Sequence, residues 1–198
     1  MMNQMATMST RFKARITGGV YLLYFLTAVL GKLITDRGLV VYGSAVSLSS
    51  TAAYIAVTLL FYYLFRPVNK SLALLAALLS LLGCANDLLS LFHLAPVQVN
   101  SLAFFGPFDI LIGYLILRST FLPRILGGLM VLAGLGWLIF LALPPANGLV
   151  AYIEVLGFVA EAALMLWLLV MGVNDQRWEA QATPAGKAEH RVPERANI

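Results

Sequence analysis

The chain is 198 residues long, 61% of them hydrophobic and only 11% charged, with a mean hydropathy of +0.87. Soluble domains carry about 25% charged residues, so nine acidic and thirteen basic side chains are too few to clothe a water-facing surface, and a soluble globular domain is excluded. The net charge of +4 is divided among short clusters rather than gathered on one stripe, which leaves no phosphate-binding face and removes nucleic acid from the implied partners.

A helix crossing the hydrocarbon core needs roughly 20 mainly apolar residues. Six runs meet that need in chain order: Ile16 to Ile34, Ser44 to Phe65, Ser71 to Leu94, Leu102 to Leu117, Ile125 to Leu143 and Leu149 to Val173. The fold expected is therefore all-α, a polytopic six-transmembrane-helix bundle over residues 15–174, with a short segment 1–14 before it and a tail 175–198 after it. The first run follows Arg11, Lys13 and Arg15 as a secretory signal would, but it is too long and lacks a small-residue cleavage site, so it reads as a retained helix. The fourth run is the shortest and contains Gly106, Pro107 and Asp109, which marks it as the one to be tilted, broken or extended. The tail mixes charges with Pro, Ala and Gln and has no apolar period, the signature of a flexible extension.

With six spans both termini share a side, and the basic residues sort onto two faces. Eleven of thirteen, from Arg11, Lys13 and Arg15 through Arg66, Lys70, Arg118 and Arg124 to Arg177, Lys187, Arg191 and Arg195, fall on one face; only Lys32 and Arg37 fall on the other. Positive loops stay inside, so both termini are expected in the cytoplasm and the protein in a bacterial cytoplasmic (inner) membrane.

Four carboxylates lie within these runs with no Lys or Arg at their depth: Asp87, Asp109, Glu154 and Glu161. Each acid near mid-span costs about 2.5–3.5 kcal/mol on insertion scales, and the four together on the order of 10 kcal/mol. Glu154 and Glu161 are seven apart and share a face of the sixth helix, while Asn86 and His93 add polar groups to the outer half of the third. Together these six residues predict an acidic pocket open to the outside, lined by the third, fourth and sixth helices. Such a pocket suits a proton relay or a cation site; equally, each acid can bond a Ser, an Asn or a carbonyl across a helix contact. The hydroxyl-rich start of the second helix, Ser44 to Thr51, either lines the same funnel or bonds back to its own helix.

Small residues mark close helix contacts. Ala73, Ala77, Ser80, Cys84 and Asp87 form one stripe on the third helix, and Gly127 and Gly134 are seven apart on the fifth. Aromatics at helix ends, such as Phe61 to Phe65 and Tyr152, read as interfacial belts, and Trp137 and Trp167 as packing residues. There is no phosphate loop, nucleophile elbow, Cys pair or His pair, and Asp87 and His93 stand on opposite sides of a helix. No cofactor, metal or catalytic residue is implied.

Four phrases carry a resemblance. Arg15-Ile16-Thr17-Gly18-Gly19-Val20-Tyr21-Leu22 opens the first helix and Arg66-Pro67-Val68-Asn69-Lys70 joins the second to the third. Arg118-Ser119-Thr120-Phe121-Leu122-Pro123-Arg124-Ile125-Leu126-Gly127 joins the fourth to the fifth, and Leu166-Trp167-Leu168-Leu169-Val170-Met171-Gly172-Val173-Asn174 ends the sixth. Over residues 15 to 174 the chain resembles the bacterial integral-membrane family called domain of unknown function 4386. The resemblance implies six spans and no particular activity. It implies an acid ahead of the closing tryptophan phrase, matched by Glu161, and a histidine ahead of Gly113-Tyr114, where this chain has Phe108 beside Asp109.

The leading functional expectation is binding or transport of a proton, a cation or a small molecule through the outward acidic pocket, with Glu161 and Asp109 at its heart and Asp87 and Glu154 at its entrance. The alternative is a non-catalytic accessory or scaffolding subunit that docks on a membrane-protein partner. An intramembrane enzyme using carboxyls as acid and base ranks last, because nothing indicates a substrate.

Overall fold

The computed structural model describes residues 9–92, 94, 99–143 and 148–183. Seven helices account for them: α1 (Thr10–Asp36), α2 (Val40–Phe65), α3 (Lys70–Leu91), α4 (Leu102–Arg118), α5 (Arg124–Ala142), α6 (Leu149–Val170) and α7 (Asp175–Ala182). Each of the first six packs against its chain neighbours, and α6 closes on α1, so they stand in sequence order around one ring. Five of them, α1, α2, α3, α5 and α6, are long and apolar enough to cross a membrane. Large apolar side chains such as Leu26, Leu74, Leu82 and Val155 are exposed along their outer faces, as lipid-facing surfaces require, and the chain is a multi-pass membrane protein.

The helix limits follow local chemistry. Ser9 accepts from the Phe12 N–H at 3.2 Å and starts α1 a turn and a half ahead of the apolar run; Asn69 accepts from the Leu72 N–H at 3.0 Å and starts α3. α6 stops at Val170, earlier than the apolar run ends, because Gly172 takes φ +69 and its N–H bonds the Trp167 carbonyl at 3.1 Å.

At 17 residues, α4 is about 26 Å long, just short of the hydrocarbon thickness. Pro107 lies inside it without breaking it. It runs against α5 through paired glycines: a β-carbon added at Gly113 would stand 2.7 Å from the Gly127 carbonyl oxygen, and one at Gly134 2.5 Å from that of Gly106. The backbones themselves are in contact, as small-residue motifs permit in lipid. The stripe on α3 likewise faces α2, where Ser80 and Thr58 share a fully buried hydrogen bond of 2.6 Å.

Basic residues gather at one end of the ring. The Arg11 and Arg15 side chains donate to the Met171 and Val170 carbonyls at 3.1 and 2.6 Å, satisfying the last carbonyls of α6. Lys13 donates to the Tyr63 hydroxyl at 3.0 Å, and the Arg66 guanidinium lies 4.5 Å from the Tyr63 ring centre. The same end corrects one expectation. Residues 175–198 are predicted to be a flexible tail; 184–198 lie outside the described residues, but Asp175–Ala182 form α7, capped by Asn174 and anchored by Trp178. That indole is buried, stacks on Tyr63 at 5.8 Å and donates to the Leu64 carbonyl at 2.9 Å. Gln181 and Arg177 bond the α4–α5 turn at Thr120, and Asp175 accepts from the Arg11 backbone. A polar composition hides one aromatic anchor, and one is enough to dock two turns of helix.

Candidate functional site

The interior of the ring is packed with aromatic and aliphatic side chains towards the α7 end, Phe61, Phe65, Phe108 and Leu168 among them. Above them lies a polar layer. Tyr21, fully buried on α1, donates its hydroxyl to Glu161 Oε2 of α6 at 2.9 Å. Asp109 of α4 is only 1% exposed, and neither of its carboxylate oxygens has a hydrogen-bond partner. It lies within electrostatic reach of Glu161, while the Trp137 indole N–H faces it short of hydrogen-bond geometry. Among the described residues the one ion pair is Lys32–Asp36 at 3.4 Å, on the exposed flank of α1, so no basic side chain neutralises the interior acids. An unpaired carboxylate held away from water costs several kcal/mol, and its charge must be met by a proton or by a cation.

Two cavities lie towards the end opposite α7, divided by Tyr24 and Ala28 of α1, and the larger reaches this layer at Glu161. The smaller, about 200 Å³, lies towards α2 and α3 and is lined by Tyr24, Tyr54, Ser47, Thr51 and Asp87. The larger, about 310 Å³, lies towards α5 and α6 and is lined by Tyr24, Phe25, Trp137, Phe158, Glu154 and Glu161, with Lys32 at its rim. The rings of Tyr24 and Tyr54 are 4.5 Å apart and those of Tyr21 and Tyr24 5.9 Å, so tyrosines bridge the two.

Of the six residues singled out from the sequence, the structure brings Asp109 within electrostatic reach of Glu161, sets Glu154 on the same cavity as Glu161, and places Asn86 and Asp87 together at Ser101, away from that cavity. Glu154 is exposed on the larger cavity, and Asp87 is exposed on the smaller one, where it accepts a hydrogen bond from Ser101. Asn86 is occupied by the turn into α4, donating to the Val99 carbonyl at 2.9 Å and to Ser101 Oγ at 2.8 Å. His93 lies outside the described residues. The hydroxyls of α2 do both things expected of them. Ser50 and Thr51 line the smaller cavity while bonding back to the Ser47 carbonyl at 2.8 and 3.1 Å.

Sequence reasoning missed Tyr21, Tyr24, Tyr54 and Trp137. A signal existed for the tyrosines: Tyr21 and Tyr24 are three apart on one face, and Tyr54 stands mid-span, too deep for an interfacial belt. Lys32, an outer-face charge in the sequence pattern, also lines the larger cavity.

Residues 97–172 match the model of the family described as domain of unknown function 4386, the family that the sequence phrases resemble. An uncharacterized protein of Archaeoglobus fulgidus is 27% identical over 129 residues, covering 60% of this chain and 76% of that one. No solved structure matches the chain.

Proposed function

We propose that this protein crosses the cytoplasmic membrane six times, with both termini inside, and holds a proton or a small organic cation at the Asp109–Glu161 pair, reached from the outer side. The observation that carries this reading is Asp109, fully buried with both oxygens unpartnered beside a second carboxylate. Intramembrane acids of this kind are costly and are retained where a cation or proton is handled. Aromatic walls suit the same ligand, because a cation over an aromatic face gains from the ring quadrupole, and Tyr24, Phe25, Trp137 and Phe158 surround the cavity beside Glu161.

Support for a sixth span comes from α4. It begins where Ser101 meets Asn86 and Asp87 in the outer half of α3 and ends where Arg118 meets Gln181 of α7, and so runs the height of the bundle. Support for the orientation is the gathering of Arg11, Lys13, Arg15, Arg66 and Arg177 at the α7 end, against Lys32 and Arg37 at the other.

The test is equilibrium binding of radiolabelled tetramethylammonium to the protein in lipid nanodiscs, with Glu161→Gln and Asp109→Asn alongside. Saturable binding weakened about tenfold or more in both variants is expected. No saturable binding by the wild-type protein, or equal binding by properly assembled variants, overturns the organic-cation reading. In that case, recovery of the protein from its native membrane with a stoichiometric second subunit would favour an accessory role.

A further inference from the structure

The larger cavity shares a wall with an apolar groove on the lipid-facing side of α1 and α6. α1 and α6 meet tightly near the basic end, where the Leu169 backbone lies against Gly18 so closely that no β-carbon fits there. Towards the other end bulky side chains meet instead, and Phe25 and Phe158 touch edge to face, ring centres 5.4 Å apart. Outside that pair lies a groove of about 500 Å³, almost wholly apolar, running along Leu22, Leu26, Leu30 and Leu33 of α1 and Ala162 and Met165 of α6. Phe25, Val29 and Phe158 line both the groove and the acidic cavity. These three side chains form a shared wall: on its lipid side there is no charge, and on its inner side are Glu154 and Glu161, with the unpartnered Asp109 behind.

We infer that the ligand is an amphiphile with an ammonium headgroup and an alkyl tail, entering sideways from the lipid between α1 and α6. Its head rests in the aromatic cavity against Glu161, and its tail stays in the leucine groove. This rests on the cation reading above and adds the tail and the route. Charge complementarity selects the head: two carboxylates line the cavity, and the single ammonium at its rim, Lys32, already pairs with Asp36. Aromatic faces on several sides suit a quaternary or alkylated ammonium. The tail is selected by the groove, whose leucines span twelve residues of α1 from Leu22 to Leu33, about 16 Å of helix; a hydrophilic cation would have no use for it.

The experiment compares dodecyltrimethylammonium with tetramethylammonium as competitors of radiolabelled tetramethylammonium in nanodiscs, with protein-free nanodiscs as blank. The wild-type protein should prefer the long-chain probe by about a hundredfold. Ala162→Phe, which fills the groove, and independently Leu26→Trp, at a lipid-facing position outside the core, should cut that preference to under about tenfold while leaving tetramethylammonium binding unchanged. Leu78→Trp, on the lipid-facing side of α3, should keep it and so corrects for simple partitioning into the bilayer. Equal affinity for the two probes, or a preference that both groove variants retain, refutes the lateral amphiphile and leaves the cation site standing. Absence of tetramethylammonium binding in the wild-type protein refutes both the lateral amphiphile and the organic-cation site.

Discussion

Two adjacent glycines at the start of α5 should respond in opposite directions to the same substitution. A β-carbon at Gly127 would lie 2.7 Å from the Gly113 carbonyl oxygen and 2.9 Å from the Leu117 nitrogen, whereas one at Gly128 meets nothing within 4 Å. Ordinary β-carbon contacts begin near 3.4 Å, so Gly127→Ala forces α4 and α5 apart by about 0.7 Å. A gap of that size forfeits a quarter to a half of the contact energy along the seam, and overpacking of this kind costs about 1–3 kcal/mol. Exchanging glycine for alanine inside a helix returns about 1 kcal/mol. The net expectation is a loss of up to about 2 kcal/mol at position 127 and a gain of up to about 1 kcal/mol at position 128. Reversible unfolding by SDS in mixed micelles, followed by tryptophan fluorescence, reads both. Equal stabilities for the two variants would show that the glycine contact does not hold α4 to α5.

Thr58→Val should cost about 1 kcal/mol: the Thr58 hydroxyl donates to the Tyr54 carbonyl at 2.9 Å, so Ser80 is the donor to Thr58 and loses its acceptor. Adding Ser80→Ala should recover part of that loss in the same unfolding assay. Trp178→Phe keeps the stack on Tyr63 but loses the bond to the Leu64 carbonyl; it should cost about 1 kcal/mol and expose residues 175–182 to limited proteolysis. In a Cys84→Ala background, Lys32→Cys should react with an impermeant thiol reagent added outside whole cells and Arg66→Cys only after permeabilisation. The reverse pattern would invert the proposed orientation.

The all-helical, multi-pass architecture was legible because it depends on a one-dimensional property. Twenty apolar residues in a row have no aqueous solution, so span positions follow from composition alone. The acids were legible for the complementary reason: Asp109 and Glu161 stand out wherever charge is expensive, with no knowledge of their neighbours. Gly127 and Gly134 announced a close contact by spacing, although nothing in the sequence named Gly113 and Gly106 as their partners.

What the tertiary structure alone decided is which residues meet. Closure of α6 on α1 joins Tyr21 to Glu161 across 140 residues of chain, and no local pattern encodes a contact at that separation. The same closure turns one expected funnel into two cavities, with Asp87 on one and Glu154 on the other, because α1, absent from the predicted lining, passes between them with Tyr24 and Ala28. The docking of α7 is likewise tertiary: hydropathy registers the solvation of side chains one at a time, whereas the site of Trp178 is built by Tyr63 and Leu64 of α2, the latter 114 residues away in the chain. Apolar length determined that the chain enters the membrane. The order of six helices around a ring decided what the buried acids face.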